Sequence, residues 1–362
     1  MLAGSLKLAV GQQHSVILDP AGSVWSTTLS FRGMDTTQGD KGFQRIFPSG
    51  AMDVSAGNGF TVMLKRDGSV WGMGRNYQGQ LGDGSLKRKD KLSFVQLITD
   101  ARAIAAGGSH TLILTHGGRV LVSGANKYGQ LGDGSTSYSS RFRVGIYVGA
   151  EAVAAGDLHS IVLMQDGSVR ATGRNYNGQL GNGSNGDEST YIKVVPNDVA
   201  FVAAGGLHSI IVKQDGSVWT TGSNKAGQLG DGTAIDKMSY VQVVTGGVKS
   251  AAAGTYHSVI LKEDGSVWAT GHNDHGQLGN GHVLNGYHFE KVISHGTILI
   301  AAGGYHSMMA QRDGSIWATG SNRHGQFGST EKTSSKNYIM VFKTKPKALT
   351  RKYSFSQPGQ AY

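Results

Sequence analysis

Variants of one pattern, small-Ala-Gly-x-x-His-Ser-apolar, return seven times along the chain. They are anchored by Gly11, Gly57, Gly107, Gly156, Gly205, Gly254 and Gly303, at spacings of 46, 50, 49, 49, 49 and 49 residues. A period this constant means that each unit is one supersecondary module, which buries its faces mainly against its neighbours. The clearest copy, AAGTYHSVILKEDGSVWATGHNDHGQLGNG, runs from Ala252 to Gly281 and is followed by a short apolar run. The units fill nearly all of the 362 residues, so a single domain over residues 1–342 is expected.

Each unit reads as four short strands. In the sixth, strand a is expected at Ser250 to Gly254, b at His257 to Lys262, c at Ser266 to Thr270 and d at Phe289 to Ile293. Asp-Gly sits between b and c in five units (Asp67, Asp166, Asp215, Asp264 and Asp313 with the following glycine). It signals a hairpin whose two central residues both tolerate positive φ. No window shows helical apolar periodicity, so the fold class is all-β. Four-stranded units of this length form propeller blades, and seven of them make a seven-bladed β-propeller. The chain opens on a strand a (Leu6 to Gly11) and its last unit ends on a strand d (Tyr338 to Phe342). The ring is therefore expected to close by its terminal strands, the first completing the last sheet and removing two open edges.

Composition narrows the chemistry. With 56 glycines and no cysteine, the chain has no disulfide framework and no thiolate site. It has no run of 18 apolar residues and hence no membrane-spanning helix. The opening MLAGSLKLAV lacks a clear charged n-region and a long apolar h-region. No secretory leader is read there, and a cytoplasmic or nuclear location is favoured. There is no GxSxG, HExxH or Walker loop, and the repeated glycine motifs open no helix. The chain is read as not an enzyme and without a cofactor, although a propeller's central opening can host a catalytic site.

Most repeated positions are scaffold. The alanines of strand a are small because seven innermost strands crowd the axis. Glycines of Gly-Gln-Leu-Gly, such as Gly129 and Gly132, supply positive φ in a long c–d loop. All five tryptophans (Trp25, Trp71, Trp219, Trp268, Trp317) share one strand-c position, where they fill space between blades. His14, His110, His159, His208, His257 and His306 open strand b, one per unit, with Phe60 in the second. One histidine per blade without a second ligand at helical or turn spacing is read as a buried ring satisfied by neighbouring backbone, not as a metal site. His272, His275 and His324 form a loose group in the last two units.

VAAGDLHSIVL (Val153 to Leu163), AAGGLHSIIV (Ala203 to Val212), AAGTYHSVIL (Ala252 to Leu261), AAGGYHSMMA (Ala301 to Ala310) and GANKYGQLGDG (Gly124 to Gly134) resemble the regulator of chromosome condensation repeat family. The resemblance spans residues 1–342 and implies a seven-bladed propeller. It implies no one function, because the family includes exchange factors for the nuclear GTPase Ran, a plant ultraviolet-B photoreceptor, modules of ubiquitin ligases and a bacterial inhibitor of β-lactamases. Three features depart from these relatives. No unit exceeds 50 residues, leaving no room for the exchange factor's extra hairpin. The tryptophans occupy buried-type positions, unlike the photoreceptor's, and no catalytic domain is appended.

Alternating strands place the a–b and c–d loops on one face of the ring and the b–c and d–a turns on the other. The b–c turn barely varies between units, whereas the first two loops do. The expected partner-binding residues are Asp157, Leu158, Leu207, Tyr256 and Tyr305 in a–b loops, and Tyr77, Tyr128, Tyr176, His275, Arg323 and His324 in c–d loops. Leu158, Leu207, Tyr256 and Tyr305 precede the repeat histidine, where the lactamase inhibitor, by resemblance, carries contact residues. Basic charge collects at Lys87, Arg88, Lys89 and Lys91 and in a tail, residues 343–362, with Lys343, Lys345, Lys347, Arg351 and Lys352. The tail is expected to be disordered, and with a net charge of +10 these segments offer weak contacts to nucleic acid, nucleosomes or another anionic surface. The leading expectation is a monomeric, non-enzymatic propeller that binds a protein through the a–b/c–d loop face. The alternative is an exchange factor or chromatin-associated regulator of a Ran-like GTPase.

Overall fold

The computed structural model describes residues 5–27, 42–87, 95–328 and 333–344. They build seven four-stranded antiparallel sheets, each an uninterrupted meander of four consecutive strands, and no helix. Blade six is typical, with strands Val248–Ala253, His257–Lys262, Val267–Gly271 and Gly286–Ile293. Strand b matches the sequence reading. Strand a starts earlier and d extends further toward the loop face. The outermost strand of blade seven, Ser334–Lys343, likewise takes in Lys343.

The Asp-Gly turns have a different physical basis from the one expected. Gly167 has φ 75°, while Asp198 is the only non-glycine with positive φ among the described residues. The Gly167 N–H donates to the Met164 carbonyl (2.9 Å) and the Met164 N–H to that of Ser168 (2.8 Å). This is a turn with one left-handed residue, the glycine. The aspartate contributes its carboxylate instead, which accepts from the Ser168 N–H at 2.9 Å.

Strand b of blade six is buried up to its half-buried last residue, Lys262, and the core lies in the wedges between adjacent blades. Trp219 packs on blade four, Trp268 on blade five and Trp317 on blade six, so the tryptophans fill inter-blade space as expected. The seven a strands surround an axial cavity of about 270 Å³.

Closure of the ring needs one correction. Strand Lys7–Val10 pairs with Ser15–Leu18 of its own blade and does not complete the last sheet. The N- and C-terminal blades meet face to face instead. The Ser15 hydroxyl bonds His306 (2.9 Å) and the Gln326 carbonyl (2.8 Å), the Gly304 N–H reaches the Gly11 carbonyl (3.3 Å), and Phe342 packs on Trp25 and Phe43. The repeat begins at strand a, so every blade owns four strands and none is left to exchange.

Candidate functional site: the loop face around the axis

The buried histidines connect the core to the loop face. His110, His159, His208 and His257 each place Nε2 at 2.8–2.9 Å from the serine hydroxyl of the next blade: Ser160, Ser209, Ser258 and Ser307. Each hydroxyl donates in turn to a c–d loop carbonyl (Gln130, Gln179, Gln228, Gln277) at 2.6–2.8 Å. Nε2 therefore carries the proton in each ring. The partner is a hydroxyl of the adjacent blade, in place of the backbone expected from sequence. Burial pushes these rings down to about 3 or 4, as it does His14 and His306, so they are neutral at physiological pH.

A second buried residue fixes the c–d loop itself. The Asn175 Oδ1 accepts from the Leu180 N–H (3.0 Å), while its Nδ2 donates to Asn182 and to the Ser184 carbonyl (3.0 Å each). Asn76, Asn126, Asn224 and Asn273 repeat this arrangement. The glutamine of each loop adds a clamp, as where Gln277 Oε1 accepts from the His275 N–H at 3.1 Å. The glycines expected at positive φ have it, for example Gly276 (φ 80°) and Gly279 (φ 75°). The variable side chains thus stand on loops with few free torsions.

Three of the expected partner-binding residues converge, joined by His272. Tyr305 lies 6.0 Å from Tyr256, 5.9 Å from His272 and 5.4 Å from His275, centroid to centroid. Tyr256 is 6.2 Å from His272. Tyr256 and Tyr305 come from a–b corners of blades six and seven, and the histidines from the c–d loop of blade six. Gln277 Nε2 donates to His272 Nδ1 (2.7 Å), leaving Nε2–H to reach Asp274 (3.1 Å). Burial, followed by the charge of Arg323, lowers the His275 pKa. Burial raises that of Tyr305, with Tyr256 and Asp157 adding to the rise. Asp157 extends from blade four to accept from Gln12 Nε2 of blade one at 3.0 Å, and burial raises its carboxyl.

The other expected residues are distributed around the rim. Tyr77 (61% exposed) and Tyr176 (69% exposed) are free to be touched, whereas Tyr128 is covered by Lys127 and Arg174. Leu158 and Leu207 are half-buried, and Arg323 and His324 are exposed. Among the basic residues, Lys87 is exposed and Lys343 lies 3.4 Å from Asp313. Arg88, Lys89, Lys91, Lys345, Lys347, Arg351 and Lys352 fall outside the described residues. His272 was not among the residues expected at the site. Its signal was the position just before the repeated loop asparagine, which changes from blade to blade (Arg75, Ala125, Arg174, Ser223, His272).

A model of the RCC1-like domain matches residues 103–355, more than half of the chain. Models of the regulator of chromosome condensation (RCC1) repeat match residues 53–80 and 67–114. No curated protein sequence matches. Among solved structures, Prp20p of Saccharomyces cerevisiae, described with its binding properties to Gsp1p and histones, superposes with a TM-score of 0.76 at 18% identity, covering 94% of this chain and 87% of that one. Yeast RCC1 (Prp20) bound to Kap60 gives 0.73 at 19% identity, covering 84% and 78%. Human WBSCR16 gives 0.71 at 24% identity, covering 83% and 84%. At these identities the likeness concerns the fold.

Proposed function

The chain belongs to the RCC1-like domain family, and we propose that it works as a non-enzymatic interaction propeller that binds a protein through its a–b/c–d loop face. One observation carries this reading: Tyr256 and Tyr305, at a–b corners, form an aromatic cluster with His272 and His275, which stand on a c–d loop that the buried Asn273 and Gln277 bond in place. Aromatic residues dominate interface energies, and pre-set loops lose little entropy on docking. The remaining variable positions (Tyr77, Tyr128, Tyr176, Leu158, Leu207, Arg323, His324) would contribute complementarity around that centre.

The double replacement Tyr256→Ala, Tyr305→Ala tests it. Both side chains lie outside the inter-blade core, so melting should fall by no more than about 3 °C. Capture of the partner by immobilised protein should weaken by about 10-fold or more. Undiminished capture would place the docking surface elsewhere.

A second reading, an exchange factor or chromatin-associated regulator of a Ran-like GTPase, is supported by the likeness to yeast Prp20p, described with binding to Gsp1p and histones. Release of a fluorescent guanine nucleotide from a Ran-type GTPase separates the two. Acceleration by catalytic amounts of the propeller favours the second reading, and an unchanged rate leaves the first.

A further inference from the structure

The geometry points to an arginine subsite at the mouth of the axial cavity: the Asp157 carboxylate would receive a guanidinium from the partner, with the rings of Tyr305 and Tyr256 beside it. The inference rests on the reading of this face as the docking surface and names the chemistry that its centre selects.

The argument starts from what is missing around Asp157. It occupies the second position of an a–b corner, and the six equivalent residues are neutral: Gln12, Asn58, Thr255 and the glycines at 108, 206 and 304. One carboxylate therefore stands alone in a ring of seven corners at the end of the axial cavity, which it lines together with Gln12. Among the described residues its side chain takes one hydrogen bond, from Gln12, and no ion pair. Of the half-buried carboxylates elsewhere on this chain of net charge +10, Asp53 has Lys7, Glu151 has Arg102 and Asp231 has Lys237. Asp19, by contrast, takes hydrogen bonds from Ala21, Ser23 and Trp25, and Asp236 from Asn177 and Asn224, against the single bond at Asp157. A desolvated carboxylate without a cation is costly, and a bound cation would offset that cost.

The rings make the same point independently. Lys213 lies over Trp219 at 4.5 Å, Lys262 over Trp268 at 4.4 Å, and Arg174 over Tyr128 at 5.1 Å. No cation of the chain lies over Tyr256 or Tyr305 among the described residues, although Tyr305 is one-third exposed (37%) and feels the charge of Asp157. Of the charged groups nearby, Asp274 takes the His272 Nε2–H, and the charge of the exposed Arg323 acts on His275. A carboxylate at the cavity mouth, close enough to act on a part-exposed tyrosine that no cation of the chain covers, suits a planar guanidinium, which hydrogen-bonds at its edge while stacking on its face. An ammonium can make only the point contact.

The test needs no partner. N-acetyl-arginine amide is titrated into the full chain and followed by NMR shifts of the Gln12 side-chain amide and the Tyr305 ring, with N-acetyl-lysine amide in parallel. The arginine probe should bind with a Kd of about 1–10 mM, as expected for one anchor without the rest of an interface. Asp157→Asn, which keeps an acceptor for Gln12, should weaken it about 10-fold or more without lowering the melting temperature. If that variant folds poorly, Asp157→Gly reproduces the corner of three sister blades and should give the same loss. No arginine-specific shift, equal affinity for the lysine probe, or binding indifferent to Asp157 would each overturn the assignment. Because the loss of partner capture in the double tyrosine variant is measured separately, the subsite can fail while the docking face stands.

Discussion

Between pH 6.5 and pH 4 the propeller is expected to lose its stability in one steep acid transition driven by its histidine ring. Six histidines are held neutral by burial, with folded-state values near 3 or 4 against an ordinary 6.5. An unfolded chain takes up these protons below pH 6.5, whereas the folded one refuses them until far lower. Stability is thus fully present above pH 6.5 and falls as pH drops toward the folded values. At pH 5 each ring loses about 2 kcal/mol, and six together lose about 12 kcal/mol, comparable with the whole stability of a typical domain. Carboxylates of the hairpin turns such as Asp67, held near 2 chiefly by bonds from Ser69, act only below their ordinary 3.8 and so do not blur this window. Melting temperature against pH, with the proton uptake from its slope, measures the effect. His257→Phe, which copies the solution that blade two reaches with Phe60, should remove one proton from that slope. Unchanged stability from pH 6.5 to 5 would mean that the rings titrate in the folded state.

The sequence reached the histidines but not their partners, and the reason is geometric. Each His-Ser pair is adjacent in sequence, yet the hydroxyl that serves His257 belongs to Ser307 of the following blade. That pairing depends on how blades stack, which a repeat read one unit at a time does not contain. The unit boundary escaped for a similar reason: a leading strand a and a trailing strand d suit either an exchanged strand or two whole blades in contact. The loop asparagines stand in the sequence as Asn-x-x-Gly-Gln-Leu-Gly, where only the glycines have a conformational role intrinsic to the residue. Asn175 matters only through what folds around it. Strand alternation, by contrast, is a local rule, and it correctly put Tyr256 and Tyr305 on the same face. The sequence could not say that Tyr128 would be covered by Arg174 while Tyr305 stayed open.

Gly254→Ala is expected to do great harm for its size. A Cβ there would lie 2.3 Å from the His257 ring and 2.6 Å from the Gly303 carbonyl of the next blade, one obstacle a buried side chain and the other backbone. The ring cannot swing aside without giving up Ser307, whose hydroxyl holds the Gln277 carbonyl, and Gln277 in turn positions His272 and His275. Overpacking plus two broken buried hydrogen bonds should cost about 3–5 kcal/mol, read from the urea midpoint. Gly186→Ala is the matched control: nothing lies within 4 Å of its Cβ and its φ is not positive, so it should be neutral or stabilise by about 0.5 kcal/mol. The damage should also reach the loop face well below the melting temperature, weakening partner capture although no face residue has changed. His257→Ala added to Gly254→Ala should recover only part of the stability, since it removes the ring but leaves the Gly303 carbonyl in the way. If Gly254→Ala melted like the parent chain, the blades would be looser than these distances allow, and the loops could not owe their rigidity to the ring beneath them.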